Sequence, residues 1–268
     1  MKIQTYTLQG KRYSNEDQHF NLLNLNNKNK RLHPVNFVAV FDGHGGKLVS
    51  KYLKDNLPKY ILKRTTNNIY RKKNAVVSHF FRKLYDNMQL KLKKDHPIAA
   101  KRCGSTALCG IHYLDKKKNP MLWMVNVGDS RAVLCNYKNC TIALTKDHKP
   151  NSSKEKKRIE RLGGKIVFDG ADWRIKDLSL SRAFGDIDTS PYVTHRPHIS
   201  RIRLNKKDKF IIFACDGLWD VMSNSGAVKF VNKLLRQKHK GNIAKKLAEH
   251  AIKIGSYDNV TVSILFLN

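Results

Sequence analysis

The sequence predicts an α+β fold built on antiparallel β-sheets, and three observations predict it. Two apolar runs, Phe37–Phe41 and Phe210–Cys215, are rich in aromatic and β-branched residues and too short for typical helices, so they read as buried strands. Between residues 105 and 145 short strand-like segments follow one another through tight turns, without the strand–helix alternation of a parallel sheet. Apolar residues at helical spacing fall in separate blocks, 48–61, 77–88 and 224–254.

Taken in order, residues 2–9 alternate loosely and predict an edge strand, and Gly10-Lys11-Arg12 a turn. Residues 17–25 read as a second strand, and Asn24 to His33, polar and basic, as a hairpin loop. The strand Phe37–Phe41 stops at Asp42-Gly43-His44-Gly45-Gly46, where glycine lets the backbone turn sharply and approach a ligand. A helix follows, with Leu48, Tyr52, Leu53, Leu57 and Ile61 on one face, and Pro58 is expected to kink or end it. Lys63 to Asn74 reads as a basic connector. Val77, Phe80, Phe81, Leu84 and Met88 form a core stripe on a second helix that His96-Pro97 ends.

Residues 105–114 and 121–128 predict a hairpin around Asp115–Pro120, and Val127–Arg131 a tight turn into strands at 132–137 and 140–145. Ser152 or Ser153 is placed to cap a helix over 154–162, which Gly163-Gly164 stops. Residues 170–176 read as a loop and 206–209 as a turn before the second core strand. Two helices separated near Gly241 fill 224–254, and 260–264 alternates with period two as a closing strand.

A chain of 268 residues with 41% hydrophobic residues can build a sizeable core. No repeat, low-complexity tail or composition break divides it, so residues 1–268 are expected to form one domain. The net charge of +31 makes a broad positive field that favours phosphorylated or acidic partners, nucleic acid or anionic surfaces. The lysines lie in short runs rather than one arm, so solvation of the outer faces accounts for the same composition. Five cysteines, an odd number with no CxxC pair, fit a reducing compartment. Nothing resembles a signal peptide or reaches the length of a membrane span, so an intracellular protein of cytoplasm or nucleus is expected. A GxxxxGK loop and zinc-ligand spacing are both absent. Cys215 lies in an apolar strand with no anion-cradling loop after it, which argues against a cysteine nucleophile.

The chemistry gathers at strand ends. Asp42 and Asp216 each close an apolar run with a following glycine, Asp258 opens the last strand, and Glu16-Asp17 lies near the start. Each Asp-Gly alone is ordinary turn chemistry. Yet acidic residues number 21 against 52 basic ones, and several of these scarce carboxylates sit at the mouths of strands. Like charges so gathered repel unless a cation lies between them, and all-oxygen ligation favours magnesium or manganese over zinc.

The chain resembles the metal-dependent Ser/Thr protein phosphatases of the type-2C family. The matching blocks run in family order: Arg12-Tyr13-Ser14-Asn15-Glu16-Asp17, then FDGHGG at 41–46, then Gly104-Ser105-Thr106-Ala107. Val127-Gly128-Asp129-Ser130-Arg131-Ala132, Asp147-His148-Lys149-Pro150, Arg158-Ile159 and Gly163-Gly164 continue it. Leu180–Asp186, CDGLWDV at 215–221 and Asp258-Asn259-Val260 complete it. The resemblance implies two packed antiparallel sheets flanked by pairs of helices, a four-layer αββα sandwich. It implies hydrolysis of phosphoserine and phosphothreonine in proteins by a water activated at two magnesium or manganese ions. Asp42 would bridge the ions; Gly43, through its carbonyl, and Glu16 would serve one, and Asp216 and Asp258 the other. Asp129 would share a third, weaker position with Asp216. Arg12 would hold the substrate phosphate and His44 would protonate the leaving oxygen. Asp17 would orient neighbours without touching metal, while Asp186 and Asp220 read as turn and cap residues. Phosphorylated proteins are the expected partners of a monomer. Electrostatic binding to nucleic acid or acidic proteins, or a catalytically silent scaffold on the same fold, are the alternatives. Two departures stand out: Ser153 replaces a usual proline, and the 164–178 segment carries Trp173-Arg174-Ile175, which bears on substrate preference.

Overall fold

Both apolar runs are central strands buried on both faces, which is why neither alternates. Phe37, Ala39 and Phe41 face a core shared with two helices, while Val38 and Val40 face the other sheet. Phe210, Ile212 and Ala214 face a second pair of helices, while Ile211 and Phe213 turn inward. The structure, a computed structural model, describes residues 1–24, 34–65 and 74–267. Parts of the expected 24–33 hairpin loop and of the 63–74 connector lie outside those residues.

In chain order, β1 (Lys2–Leu8), β2 (Gln18–Leu22), β3 (Asn36–Phe41) and the short β4 (Gly43–His44) precede helices α1 (Leu48–Thr65), α2 (Asn74–Asp95) and α3 (Ala99–Arg102). Next come β5 (Gly104–Ser105), β6 (Ala107–Leu114), β7 (Pro120–Val127), β8 (Arg131–Cys135) and β9 (Thr141–Ala143). Helix α4 (Ser153–Arg161) leads to the short β10 (Val167–Phe168), β11 (Trp173–Arg174) and β12 (Phe184–Gly185). The chain closes with β13 (His198–Arg203), β14 (Phe210–Ala214), α5 (Asp216–Trp219), α6 (Asn224–Arg236), α7 (Ile243–Lys253) and β15 (Val260–Phe266).

Two five-stranded antiparallel sheets result, ordered β1-β15-β14-β8-β9 and β13-β7-β6-β3-β2. Three apolar cores alternate with the layers: α1 and α2 on one sheet, the two sheets on each other, and α6 and α7 on the second sheet. This is the expected αββα sandwich. Gly110 lets the sheets approach, because a Cβ there would run into the Phe213 ring. The Gly163-Gly164 stop is a Schellman motif: Gly163, at φ +81°, donates to Glu160 O and Gly164 donates to Ile159 O.

Four local readings need correction. Pro58 does not end α1, since Leu57 and Ile61 on either side of it are fully buried and packing outweighs the lost hydrogen bond. The strand β13 is an addition: its HISRIR sequence carries charges on a half-buried edge and lacks an apolar signature. The 170–176 loop contains half of a two-residue hairpin, Val167–Phe168 with Trp173–Arg174. Ser152 stands at the α4 N-cap, but its hydroxyl donates to Lys149 O at 2.9 Å and shapes the preceding turn instead.

Glu155 on α4 is 3% exposed and anchors the segment leading into the site. Arg158 and Arg182 both bond its carboxylate, at 3.0 and 2.5 Å, and Ser181 Oγ donates at 3.1 Å. Burial alone would raise its pKa, but the two guanidinium groups outweigh burial and bring it down to about 2. A depressed carboxylate stabilises the fold above its unfolded pKa and loses that contribution as pH falls through the folded value. Glu155→Gln is therefore expected to destabilise the protein by about 3 kcal/mol at neutral pH, by leaving two arginines unpaired. In denaturant titrations the gap from the parent should narrow between pH 4.5 and about 2; a gap independent of pH would show that the ion pairs contribute nothing.

Candidate active site

The strand ends converge on one cleft of about 650 Å³. Its carboxylates are Glu16, Asp42, Asp129, Asp172, Asp177, Asp216, Asp220 and Asp258, so eight of the 21 acidic residues share this wall. Asp42 follows β3 in one sheet, while Asp216 follows β14 and Asp258 precedes β15 in the other. The cleft therefore lies across the ends of both sheets.

Asp42 is held by its backbone: its N–H donates to Thr106 Oγ1 at 3.0 Å and its C=O accepts from Thr106 N at 2.8 Å. Thr106 in turn shares a hydroxyl bond with Ser130, next to Asp129. Ligand atoms of Asp42, Asp129 and Asp216 all lie within 4.8 Å of one another, and so do those of Asp17, Asp42 and Cys215. Burial, then repulsion from Asp216, Asp17 and Asp129, pushes the Asp42 carboxyl well above the usual range. Burial does the same to Asp216, with Asp129 adding to it, and raises Asp17 to about 6. Three oxygen donors crowded against their own repulsion are the donor set of a hard cation, so these residues fit a magnesium- or manganese-sized ion.

Glu16 and Asp258 line the same cleft but face other groups. Glu16 accepts from Gly46 N at 3.1 Å and Ser14 Oγ at 3.2 Å, and its backbone is fixed by Asn259 and Ser50. Asp258 pairs with Arg12 at 2.7 Å, so the arginine expected to hold phosphate here rests on a carboxylate expected to hold metal. Gly43 cannot carry a side chain, because a Cβ would meet Glu16 O and Ser50.

Two residues were missed as partners. Lys149 donates a 2.6 Å ion pair to Asp129 and stands 3.9 Å from Asp216. Burial opposes its charge, but the Asp129 and Asp216 carboxylates outweigh burial and raise its pKa. The signal for it was present in the Asp147–Pro150 block, where a lysine follows a histidine that accepts from Gly128 N and so docks against the Asp129 turn. Asp186, read as a turn residue, is 2% exposed and bonds His44 Nε2 at 2.7 Å. Burial pulls the His44 pKa down, but Asp186 wins and raises it above the ordinary value. Asp220 is exposed on the cleft wall, outside both clusters. Cys215 is fully buried and burial raises its thiol pKa strongly, as expected of an inert thiol.

The family model described as Protein phosphatase 2C matches residues 1–260. The chain belongs to the protein phosphatase 2C family. It is 35% identical to protein phosphatase 1L of Bos taurus, across 98% of this chain and 71% of that one. A PP2C-like domain-containing protein of Acanthamoeba polyphaga mimivirus is 43% identical over 178 residues, covering 58% of this chain and 99% of the viral one. Among solved structures, the serine-threonine phosphatase 2C of Toxoplasma gondii superposes with a TM-score of 0.82 at 25% identity, covering 98% of this chain and 94% of its own. A C. elegans sex-determining protein superposes at 0.87 and 25% identity, over all of this chain and 65% of its own. A 2C-type protein phosphatase is an enzyme that depends on metal, and the crowded carboxylates agree with that. Among the described residues no helix is long and apolar enough to cross a membrane.

Proposed function

We propose that residues 1–268 form one catalytic domain that hydrolyses phosphoserine and phosphothreonine in proteins at a centre holding two divalent ions, magnesium or manganese. The observation that carries this reading is the gathering of Asp42, Asp129 and Asp216 within 4.8 Å at the mouth of both sheets. Asp42 would bridge the pair, with Glu16 and the Gly43 carbonyl on one side and Asp216 and Asp258 on the other; Asp129 and Asp216 would serve a third, weaker position. Ions held there supply Lewis-acid charge that makes a water acidic enough to attack phosphorus near neutral pH.

The chain's own groups do the rest. Arg12, with 61% of its side chain exposed, presents a planar fork suited to two phosphate oxygens. Binding substrate requires it to exchange Asp258 for phosphate. His44 gives a proton to the departing serine or threonine oxygen from Nδ1, since Nε2 is held by Asp186. Asp186 favours the charged ring, which is the form that donates. Asp17 stands buried behind Asp42 and fixes its setting without meeting substrate.

Isothermal titration of the chelator-treated chain with manganese is expected to show two tight equivalents. Phosphate release from phosphoserine and phosphothreonine peptides should then exceed release from a matched phosphotyrosine peptide. Full turnover in excess chelator, or a phosphotyrosine preference, would reject the reading.

A further inference from the structure

The end of the sandwich remote from the cleft carries the opposite charge. Four turns meet there: 115–120 between β6 and β7, 136–140 between β8 and β9, 203–209 between β13 and β14, and 236–242 between α6 and α7. Strands β7, β8 and β14, which three of these turns join, run on to Asp129 and Asp216, and their sheet neighbours β3 and β15 carry Asp42 and Asp258 at the same end, so a strand length, roughly 20 Å at about 3.3 Å per residue, separates the turns from the cleft. The four turns hold eleven lysines and arginines against two aspartates. Both aspartates are engaged internally: Asp115 accepts from Lys117 N and Asn119 N, and Asp208 from Tyr137 N and Asn205 N. Three clefts open on this end and on the adjoining flank of α6, of 450, 560 and 570 Å³, and no carboxylate lines any of them.

The surface is braced rather than loose. Arg203 donates to Asn119 Oδ1 at 2.8 Å, Lys209 N to Cys135 O at 3.0 Å, and Leu204 N to Pro120 O at 2.9 Å. Gln4 ties the fourth turn on, donating to Gly241 O and accepting from Ile243 N. Amid these cations Tyr137 is 43% exposed, with Lys138 Nζ 5.6 Å from its ring.

We propose that this end of the molecule binds single-stranded nucleic acid. A nucleic-acid strand carries one charge per nucleotide whatever its sequence, which suits cations spread over four turns and two sheets rather than gathered in one pocket. An exposed aromatic among cations gives a base something to stack on. An acidic peptide uses the cations but not the ring. A lipid surface calls for several apolar side chains to insert, and among the described residues of these turns Tyr137 is the only large exposed one.

The test is fluorescence anisotropy with a labelled mixed-sequence RNA strand and the full chain, over a range of salt. The parent should bind with an affinity that falls linearly in log salt. Reversing Lys206, Lys207, Lys238 and Lys240 together to glutamate is expected to weaken binding at least tenfold and to reduce the salt slope by roughly 3, at about 0.7 per phosphate contact. Tyr137→Ala should weaken binding about tenfold with the slope unchanged. The same charge change made on α2, at Arg82, Lys83, Lys93 and Lys94, should cost far less. Turnover of an aryl phosphate should be unchanged in every variant, so that lost binding is not lost fold. Failure of the parent to bind at low salt overturns the proposal, as does equal weakening by the α2 variant. Displacement of RNA by polyglutamate as effective as by unlabelled RNA would assign the surface to acidic proteins instead.

Discussion

Asp42→Asn is expected to lower phosphopeptide turnover by about 10³-fold or more, since in the proposed centre several kcal/mol of charge stabilisation would rest on this carboxylate. The same substitution should raise the melting temperature of the chelator-treated protein. Asparagine has nearly the same shape, and Thr106 binds the Asp42 backbone rather than its side chain, so the turn survives. What disappears is a charge packed against Asp17, Asp129 and Asp216, which Lys149 only partly offsets. Manganese should then raise the parent's melting temperature far more than the variant's. Melting curves with and without metal, beside a phosphate-release assay, check both halves. A variant that turns over normally would remove Asp42 from the chemistry, and one that melts lower in chelator would mean that the carboxylates do not repel.

His44→Gln is expected to slow phosphoserine peptides by about 10²-fold and aryl phosphates by much less, because phenolates leave without a proton. Gly104→Ala should give a smaller loss of the same kind. A Cβ at Gly104 would intrude on both Asp186 Oδ2 and His44 Nε2, so the pair must part. Manganese affinity, read by calorimetry, should be unchanged in His44→Gln. Equal losses on both substrate classes would argue that the imidazole serves binding alone.

Much of the architecture could be read from residue patterns because the decisive strands are extreme. A run such as Phe210–Cys215 is apolar at every position only if both faces are covered, and both are. Helix α2 announced itself through Val77, Phe81, Leu84 and Met88, all buried. The sequence was silent on β13, where Arg201, laid over the Trp123 and Tyr113 rings, and Arg203 break the apolar pattern, and misleading at Pro58, where burial of Leu57 and Ile61 settles the matter. In the site, Asp42 and Asp216 were visible as acids ending apolar strands. The His44–Asp186 bond was not, because 142 residues separate the partners and only the pairing of β12 and β4 with β5 brings them together. Lys149 was hidden for a related reason: among 52 basic residues, one that turns inward looks like the rest.

The cleft draws Asp42 from one sheet and Asp216 and Asp258 from the other, with the inter-sheet core beneath them. An ion held between those residues would act as a clasp on the sandwich. The two halves could not slide or part without first surrendering it, so occupancy and unfolding become linked equilibria. Starving the enzyme of metal would then do more than silence it. It would loosen the seam and leave the protein more open to proteolysis, making cation supply a control on its lifetime as well as its rate.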